Sequence, residues 1–268
     1  MTIKETLAKY RKSIHPDETE LLLSHLLSMT KEQLYMNYTQ AVPVNLLKRL
    51  DGLIKKRKLG WPVAYLVGFK NFYGLKFLVN QNVLIPRPES EWLVERTLEL
   101  VKQKVKNKKS IHILEVGTGS GCIAISIAKT LKSKNVWITA TDISSRALKV
   151  AKENAKIQKV KVSFSKHNLF NGISKKYDLI IANLPYVPLN DYRKLYKNLK
   201  YEPKLALVDK AKDFELLGKF LGQAQTYIKP GGIILIESDP LYFKTNRNIF
   251  SKIYKDIHQL DRFGEIHY

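Results

Sequence analysis

The sequence predicts an α/β protein, a mostly parallel sheet clothed by helices, preceded by a small helical domain. Three observations predict it. From residue 110 onward, short apolar runs alternate with helix-period segments, the pattern of repeated strand–helix–strand units. The glycine-rich run Gly117-Thr118-Gly119-Ser120-Gly121 lies between the first of these strands and its helix. The stretch Asp178-Leu179-Ile180-Ile181-Ala182-Asn183-Leu184-Pro185-Tyr186 is too short and too apolar for a surface helix and is bounded by turn residues, so it reads as a buried strand.

In chain order, residues 1–70 read as helical. Ile3, Leu7 and Tyr10 recur at helical spacing, Asp17 is a candidate cap for a helix carrying Leu21, Leu22, Leu26 and Leu27, and a further apolar face runs through Leu46, Leu47, Leu50, Leu53 and Ile54. Residues 71–84 carry the Gly-punctuated β-formers Phe72-Tyr73-Gly74-Leu75-Lys76-Phe77, which predict a hairpin linker. The remaining domain is 85–268. Its Pro86-Arg87-Pro88 segment is extended, Glu89 or Ser90 opens a helix carrying Trp92, Leu93, Val94 and Leu98, and the basic run from Lys102 to Lys109 is a solvated helix end and loop. Arg87 and Glu89 are expected to brace the two domains.

Strands are then predicted at 111–116, 136–141, 160–164, 177–182 and 233–237. The intervening helices fall at 122–131, 144–156 and 214–228, and a turn at Lys229-Pro230-Gly231-Gly232. The rest supplies one more helix and an antiparallel terminal pair, for seven strands in all.

Composition narrows the class. Hydrophobic residues at 44% and charged residues at 26% describe an ordinary globular chain. No apolar run is long enough to span a bilayer, and Met1 to Arg11 is polar, so the expectation is a cytoplasmic protein without membrane contact. One cysteine, Cys122, excludes an intramolecular disulfide framework, and six scattered histidines lack metal-ligand spacing. A net charge of +22 favours a nucleic acid or ribosomal partner; a Lys-rich composition spread along the whole chain would produce the same number.

The candidate site residues fall at successive strand ends, where open parallel sheets bind their ligands. A glycine-rich loop lets a ligand approach backbone, and Asp142 ends the second strand, where an acid can hold both ribose hydroxyls. The dinucleotide spacing G-x-G-x-x-G is absent; instead Glu115 precedes the loop and offers a carboxylate to a cationic amino group. A nucleoside bearing an amino acid therefore suits this set better than a pyrophosphate. Asn168 and Leu169 follow the third strand and Asn183 the fourth. The Asn183 side-chain oxygen and the Leu184 carbonyl are two acceptors beside Tyr186, a receptor for a planar NH2 group; the same residues also suit a plain strand-to-loop turn.

Glu115 to Gly121, Asp142 and Asn183-Leu184-Pro185-Tyr186 resemble the class I S-adenosylmethionine-dependent methyltransferases. Leu84-Ile85-Pro86-Arg87-Pro88-Glu89-Ser90-Glu91 resembles the signature of one family among them, the release factor glutamine methyltransferases (the HemK/PrmC family). Residues 62–68, 72–77 and 201–207 match that family as well, so the resemblance spans nearly the whole chain. It implies a Rossmann-like methyltransferase domain behind an N-terminal substrate-docking domain, S-adenosylmethionine as methyl donor, and N5-methylation of the glutamine in the Gly-Gly-Gln motif of peptide chain release factors.

By that resemblance Gly117, Thr118, Gly119, Ser120 and Gly121 line the methionine end of the cofactor with Glu115, Asp142 holds the ribose, Asn168 and Leu169 flank the adenine, and Asn183 also contacts the cofactor. Asn183, Leu184, Pro185 and Tyr186 hold the substrate amide, with Asn183, Pro185 and Tyr186 as the catalytic set. Two positions depart from the family pattern: Asn168 stands where Asp is usual, and Leu184 where the first proline of Asn-Pro-Pro-Tyr is usual. Asn-Leu-Pro-Tyr is also close to the motif of ribosomal RNA adenine dimethylases, so N6-methylation of adenine in RNA or DNA is the rival reading. A basic binding protein without catalysis is a third, opposed by the intact cofactor set.

Overall fold

The computed structural model describes residues 1–105, 110–209 and 214–268. The chain divides into two compact units, Met1–Phe69 with Lys197–Tyr201, and Lys70–Tyr196 with Glu202–Tyr268.

The first unit is helical: α1 (Ile3–Tyr10), α2 (Pro16–Leu27), α3 (Lys31–Met36), α4 (Val44–Lys58) and α5 (Val63–Val67). Thr2 and Thr30 open α1 and α3 with capping boxes, each hydroxyl taking the N–H three residues on. Helix α2 starts differently from the sequence expectation. His15 is its N-cap and Pro16 its first residue, so Asp17 lies inside the first turn and acts through the helix dipole instead of as a cap. Ile3, Tyr10, Leu22, Leu23, Leu34, Leu50 and Ile54 form the core, the face the 3.6-residue period marks. Trp61 stacks on Tyr201 at 4.5 Å between ring centres, anchoring the 197–201 segment within this unit.

The hairpin pairs β1 (Phe69–Phe72) with β2 (Leu75–Leu78). Tyr73 and Gly74 both have positive φ, the two-residue turn that matches strand twist. Pro88–Ser90 forms a single 3-10 turn directly ahead of α6 (Glu91–Val105), and the Ser90 hydroxyl donates away from the helix, to Glu237. Of the basic run from Lys102, residues 106–109 lie outside the described residues.

The large unit follows as β3 (Ile111–Val116), α7 (Cys122–Leu131), β4 (Val136–Asp142), α8 (Ser145–Gln158), β5 (Ser163–Lys166), β6 (Tyr177–Asn183), α9 (Leu189–Leu199, whose last residues belong to the helical unit), α10 (Lys204–Leu207), α11 (Glu215–Tyr227), β7 (Ile228–Glu237), α12 (Pro240–Thr245), β8 (Lys252–Lys255) and β9 (Asp261–His267). The seven strands lie in the order β5-β4-β3-β6-β7-β9-β8. Neighbours from β5 to β7 pair parallel, and β9 runs antiparallel to both β7 and β8. This is the fold class the alternating pattern predicts.

Period-two alternation buries both faces. Ile113, Leu179, Ile181 and Leu235 pack against α6 and α7 on one side; Leu114, Ile180, Ala182, Ile234 and Ile236 pack against α11 and α12 on the other. Such strands read as continuous apolar runs, which is why the sequence locates them closely.

Two strand boundaries are corrected. The third strand starts at Ser163 instead of residue 160, because Lys159 takes the left-handed conformation and the Val160 N–H closes α8 on the Ala155 carbonyl. The predicted turn at Lys229–Gly232 is strand: β7 begins at Ile228, and the Gly231 N–H and Gly232 carbonyl both pair with Tyr268. Helices α9 and α10 are absent from the sequence reading, and α3 and α5 fall within the helical region 1–70 without having been singled out.

The chain runs outward from β3 through β4 to β5, then returns to place β6 on the other flank of β3. That reversal opens the crevice of a doubly wound sheet between the carboxyl ends of β3 and β6.

Candidate active site

A cavity of about 200 Å³ fills this crevice, lined by the loop after β3, the end of β4, the segment after β5 and the end of β6. Of the residues singled out in the sequence, Gly117, Gly119, Asp142, Asn168, Leu169, Asn183, Leu184 and Pro185 line it. Glu115, Thr118, Ser120 and Gly121 do not; they build the loop from beneath, and Tyr186 also lies outside the lining.

The loop conformation depends on its glycines. Gly117 has φ +79°, and a Cβ there would meet Leu184 Cδ2 at 2.8 Å. Gly121 has φ +81°, and its Cβ would press into Ile125 and Ala151, so it lets α7 and α8 close together. The Gly117 and Thr118 N–H groups both donate to the Thr141 carbonyl at 2.9 Å, fastening the loop to β4.

Glu115, 2% exposed, accepts from the Thr118 hydroxyl at 2.7 Å and the Ala124 N–H at 3.1 Å through one carboxylate oxygen. Burial pushes its carboxyl up to about 8, against the pull of those two donors. Asp142 accepts from Gly119 N–H at 2.9 Å and Ser144 N–H at 2.8 Å, one per oxygen, which aims the carboxylate along the cavity edge; burial raises its pKa.

The end of β6 is organised by hydrogen bonds to residues the motifs do not mark. Asn183 Nδ2 donates to Ser90 Oγ at 3.0 Å and to Glu237 Oε2 at 2.9 Å, and the Tyr186 hydroxyl donates to Glu237 Oε1 at 3.3 Å. Burial raises the Tyr186 phenol above its usual range, with the Glu237 charge adding to it, and the Arg262 guanidinium lies 5.9 Å from the Tyr186 ring centre.

The signature around Arg87 is tied within the large unit. Glu202, itself buried, accepts from Arg87 at 2.6 Å and from the Ile85 N–H at 3.1 Å. The expected brace between domains is therefore a brace inside one unit.

Asn154 was invisible to motif reading. It is fully buried in α8 and donates to the Ser120 and Leu78 carbonyls at 2.9 and 3.0 Å while accepting from the Leu78 N–H at 2.7 Å. A buried Asn inside an otherwise amphipathic helix is its only sequence signal.

The lining fits S-adenosylmethionine. Val83, Ile143, Leu169, Leu205, Ala206 and Leu216 provide apolar walls for a planar base, Asp142 is a carboxylate at a strand end for vicinal hydroxyls, and the glycines leave backbone exposed for an aliphatic tail. Among the described residues no cluster of His, Cys, Asp or Glu could hold a metal ion, and no helix is long and apolar enough to cross a membrane.

Two family models match, the PrmC N-terminal domain over residues 2–68 and a methyltransferase domain over residues 107–260. Among curated proteins, a release factor glutamine methyltransferase of Rhodopirellula baltica is 32% identical over 248 residues, covering 90% of this chain and 83% of the relative. The enzyme of that name from Bacillus cereus is 34% identical over 222 residues, covering 81% and 77%. That from Aquifex aeolicus is 32% identical over 269 residues, covering 97% and 93%. With a parallel sheet reversed at β3 and β6, a glycine loop and acidic strand ends around one cavity, and this similarity along both units, the chain belongs to the release factor glutamine methyltransferase family.

Proposed function

We propose that the protein methylates the side-chain amide nitrogen of the glutamine in the Gly-Gly-Gln motif of peptide chain release factors, with S-adenosylmethionine as methyl donor, in the cytoplasm. The observation that carries this reading is the position of Asn183 and Leu184 in the wall of the same cavity as Gly117 and Asp142. When bound, the donor supplies an electrophilic methyl group. Gly117 and Gly119 admit its aliphatic end to backbone, Asp142 holds the ribose, and Asn168 and Leu169 border the base. Glu115 acts through the loop it supports.

An amide nitrogen is a poor nucleophile because its lone pair is delocalised. The Asn183 side-chain oxygen and the Leu184 carbonyl accept its two N–H groups and orient the nitrogen, so positioning and electrostatics supply the rate. Pro185 restricts the Leu184 backbone, and its peptide bond is trans. Leu184 replaces a proline without loss of that carbonyl, and its side chain packs over Gly117. The N-terminal unit serves as the docking domain for the protein substrate.

The test is methyl transfer from labelled S-adenosylmethionine with release factor and RNA offered together. Label on the release factor, lost when its motif Gln becomes Ala, is the expected result; label on RNA instead replaces this reading with adenine N6-methylation.

We further propose that the excess positive charge engages nucleic acid at the opposite end of the sheet. A groove of about 900 Å³ beside the amino ends of β4 and β5 is lined by Lys129, Lys132, Lys134, Lys159 and Lys161, with no acidic residue, and Trp137 stands there 61% exposed. Lysines around an exposed indole suit single-stranded nucleic acid, phosphate on the ammonium groups and a base on the ring. Affinity for such a strand should fall steeply with salt and weaken about tenfold in Trp137→Ala; a flat salt response overturns it.

A further inference from the structure

Asn183 and Glu237 are register partners at the carboxyl ends of β6 and β7. Neighbouring residues in register project to the same side of a sheet, so the two side chains emerge together. Ser90 reaches them from the 3-10 turn that precedes α6. Its hydroxyl donates to Glu237 Oε2 at 2.6 Å, and that oxygen also accepts from Asn183 Nδ2 at 2.9 Å. The hydroxyl in turn accepts from Asn183 Nδ2 at 3.0 Å.

A primary amide has two N–H donors and one carbonyl acceptor. Both donors of Asn183 are used, one on Ser90 and one on Glu237, whereas its Oδ1 has no partner among the described residues. The reversed amide would set its oxygen against the carboxylate, acceptor against acceptor. The carboxylate thus fixes which end of Asn183 meets the substrate. It does so at a cost, since Glu237 is 2% exposed and Ser90 is 3% exposed, and a buried carboxylate needs every donor it has. Donation from the N–H end to an anion also moves electron density onto Oδ1 and makes it a better acceptor.

Resting on the glutamine-methylation reading above, we propose that Glu237 and Ser90 are positioning residues for methyl transfer, holding Asn183 so that its Oδ1 receives the N–H of the target amide. With S-adenosylmethionine bound, a C–N bond would form as the sulfonium C–S bond breaks and leaves its electron pair on the departing thioether; the substrate nitrogen would gain positive charge and lose it with a proton to water. A carboxylate one hydrogen bond behind the acceptor therefore favours the transition state over the bound substrate. Its removal lowers kcat and leaves ground-state binding alone.

The test measures kcat, KM for the release factor and cofactor affinity in Glu237→Gln, Ser90→Ala and Ser90→Thr. Glu237→Gln keeps the shape and loses the charge; kcat should fall about ten- to hundredfold with KM and cofactor affinity within about twofold. Ser90→Ala should lose about tenfold in kcat, and Ser90→Thr, which keeps the hydroxyl, should recover most of it. The double variant Glu237→Gln with Ser90→Ala should fall short of the product of the two single losses, because both act through one amide.

Full kcat in Glu237→Gln, or a loss confined to KM or to cofactor affinity, overturns the proposal. If Glu237→Gln does not fold, the Ser90 pair decides alone: equal activity in Ser90→Ala and wild type overturns it. If the wild type labels RNA and not the release factor, the substrate reading fails, and the same kcat split measured on RNA still supports the positioning role, since an adenine NH2 would meet the same acceptor.

Discussion

Asn154 and Ser120 are joined by a 2.9 Å hydrogen bond from the buried side-chain amide to the loop carbonyl, and the same amide holds both backbone groups of Leu78. One side chain thus couples α8, the hairpin and the glycine-rich loop. Asn154→Leu keeps the bulk and strands the buried Ser120 carbonyl, worth about 1–3 kcal/mol, together with the half-buried N–H and carbonyl of Leu78. We expect a lower melting temperature and weaker cofactor binding together, read by thermal denaturation and calorimetric titration. A variant with wild-type cofactor affinity would remove Asn154 from the loop's support.

Gly117 and Leu184 make a second prediction. Gly117→Ala must hold a left-handed residue, about 1–2 kcal/mol, and also displace the Leu184 side chain, 2.8 Å from the new Cβ. Gly119→Ala carries the backbone term alone, since nothing lies within 4 Å of its Cβ. Cofactor affinity should therefore fall further in Gly117→Ala than in Gly119→Ala. Adding Leu184→Ala to Gly117→Ala should recover the packing part of the loss, measured by the same titration.

Glu115 makes stability depend on pH. Its carboxyl is raised to about 8 in the folded state, against about 4.3 in an unfolded chain. The folded state binds the extra proton, so between those values stability falls as pH rises. Glu115→Gln cannot ionise. Its melting temperature should lie several degrees above wild type at pH 8 and approach it near pH 4, while loop rigidity and cofactor affinity suffer from the changed acceptor. Parallel melting curves for the two proteins at pH 8 and pH 5 would contradict the assignment.

Glu265 behaves oppositely. Buried on β9, it takes a two-pronged contact from Arg96 of α6 at 2.8 and 3.1 Å, with Tyr254 donating at 3.1 Å. Despite the penalty of burial, Arg96 first, then the His267 ring 2.5 Å away and Tyr254, bring its carboxyl down to about 2. A depressed acid contributes stability above its unfolded pKa and loses it as pH drops through the folded value, here from about pH 5 toward 2. Glu265→Gln removes the buried anion and leaves Arg96 only the exposed Glu99, 2.8 Å away, so it should cost about 1.5–3 kcal/mol at pH 7, visible in urea unfolding, with the difference narrowing as the wild type is acidified.

Strands such as 111–116 and 177–182 were legible because both faces of a parallel sheet are apolar, leaving short bounded runs. The places of Gly117, Gly119 and Asn183 in the cavity wall were legible because open parallel sheets form their crevice at strand ends. What escaped reading were contacts between distant segments. Ser90 carries the local mark of a helix start, yet its hydroxyl serves Asn183, 93 residues on. Glu237 ends a strand like many acids, and only the pairing of β6 with β7 sets it beside Asn183. The turn residues Gly231 and Gly232 became strand because Tyr268 offers them partners, which no local propensity records.

The pairing of Asn183 with Glu237 makes the alignment of two strands a chemical variable. Sliding β7 one residue along β6 would bring Ile236 or Ser238 abreast of Asn183 and turn the carboxylate to the opposite face, where α11 and α12 pack. The irregular pairing between Tyr177 and Leu179, at the far end of the same two strands, is what absorbs their mismatch in length. A deletion at Lys229 or Pro230 falls in that irregular stretch and should leave Glu237 abreast of Asn183, whereas a deletion between Ile233 and Glu237 would change which side chain stands there.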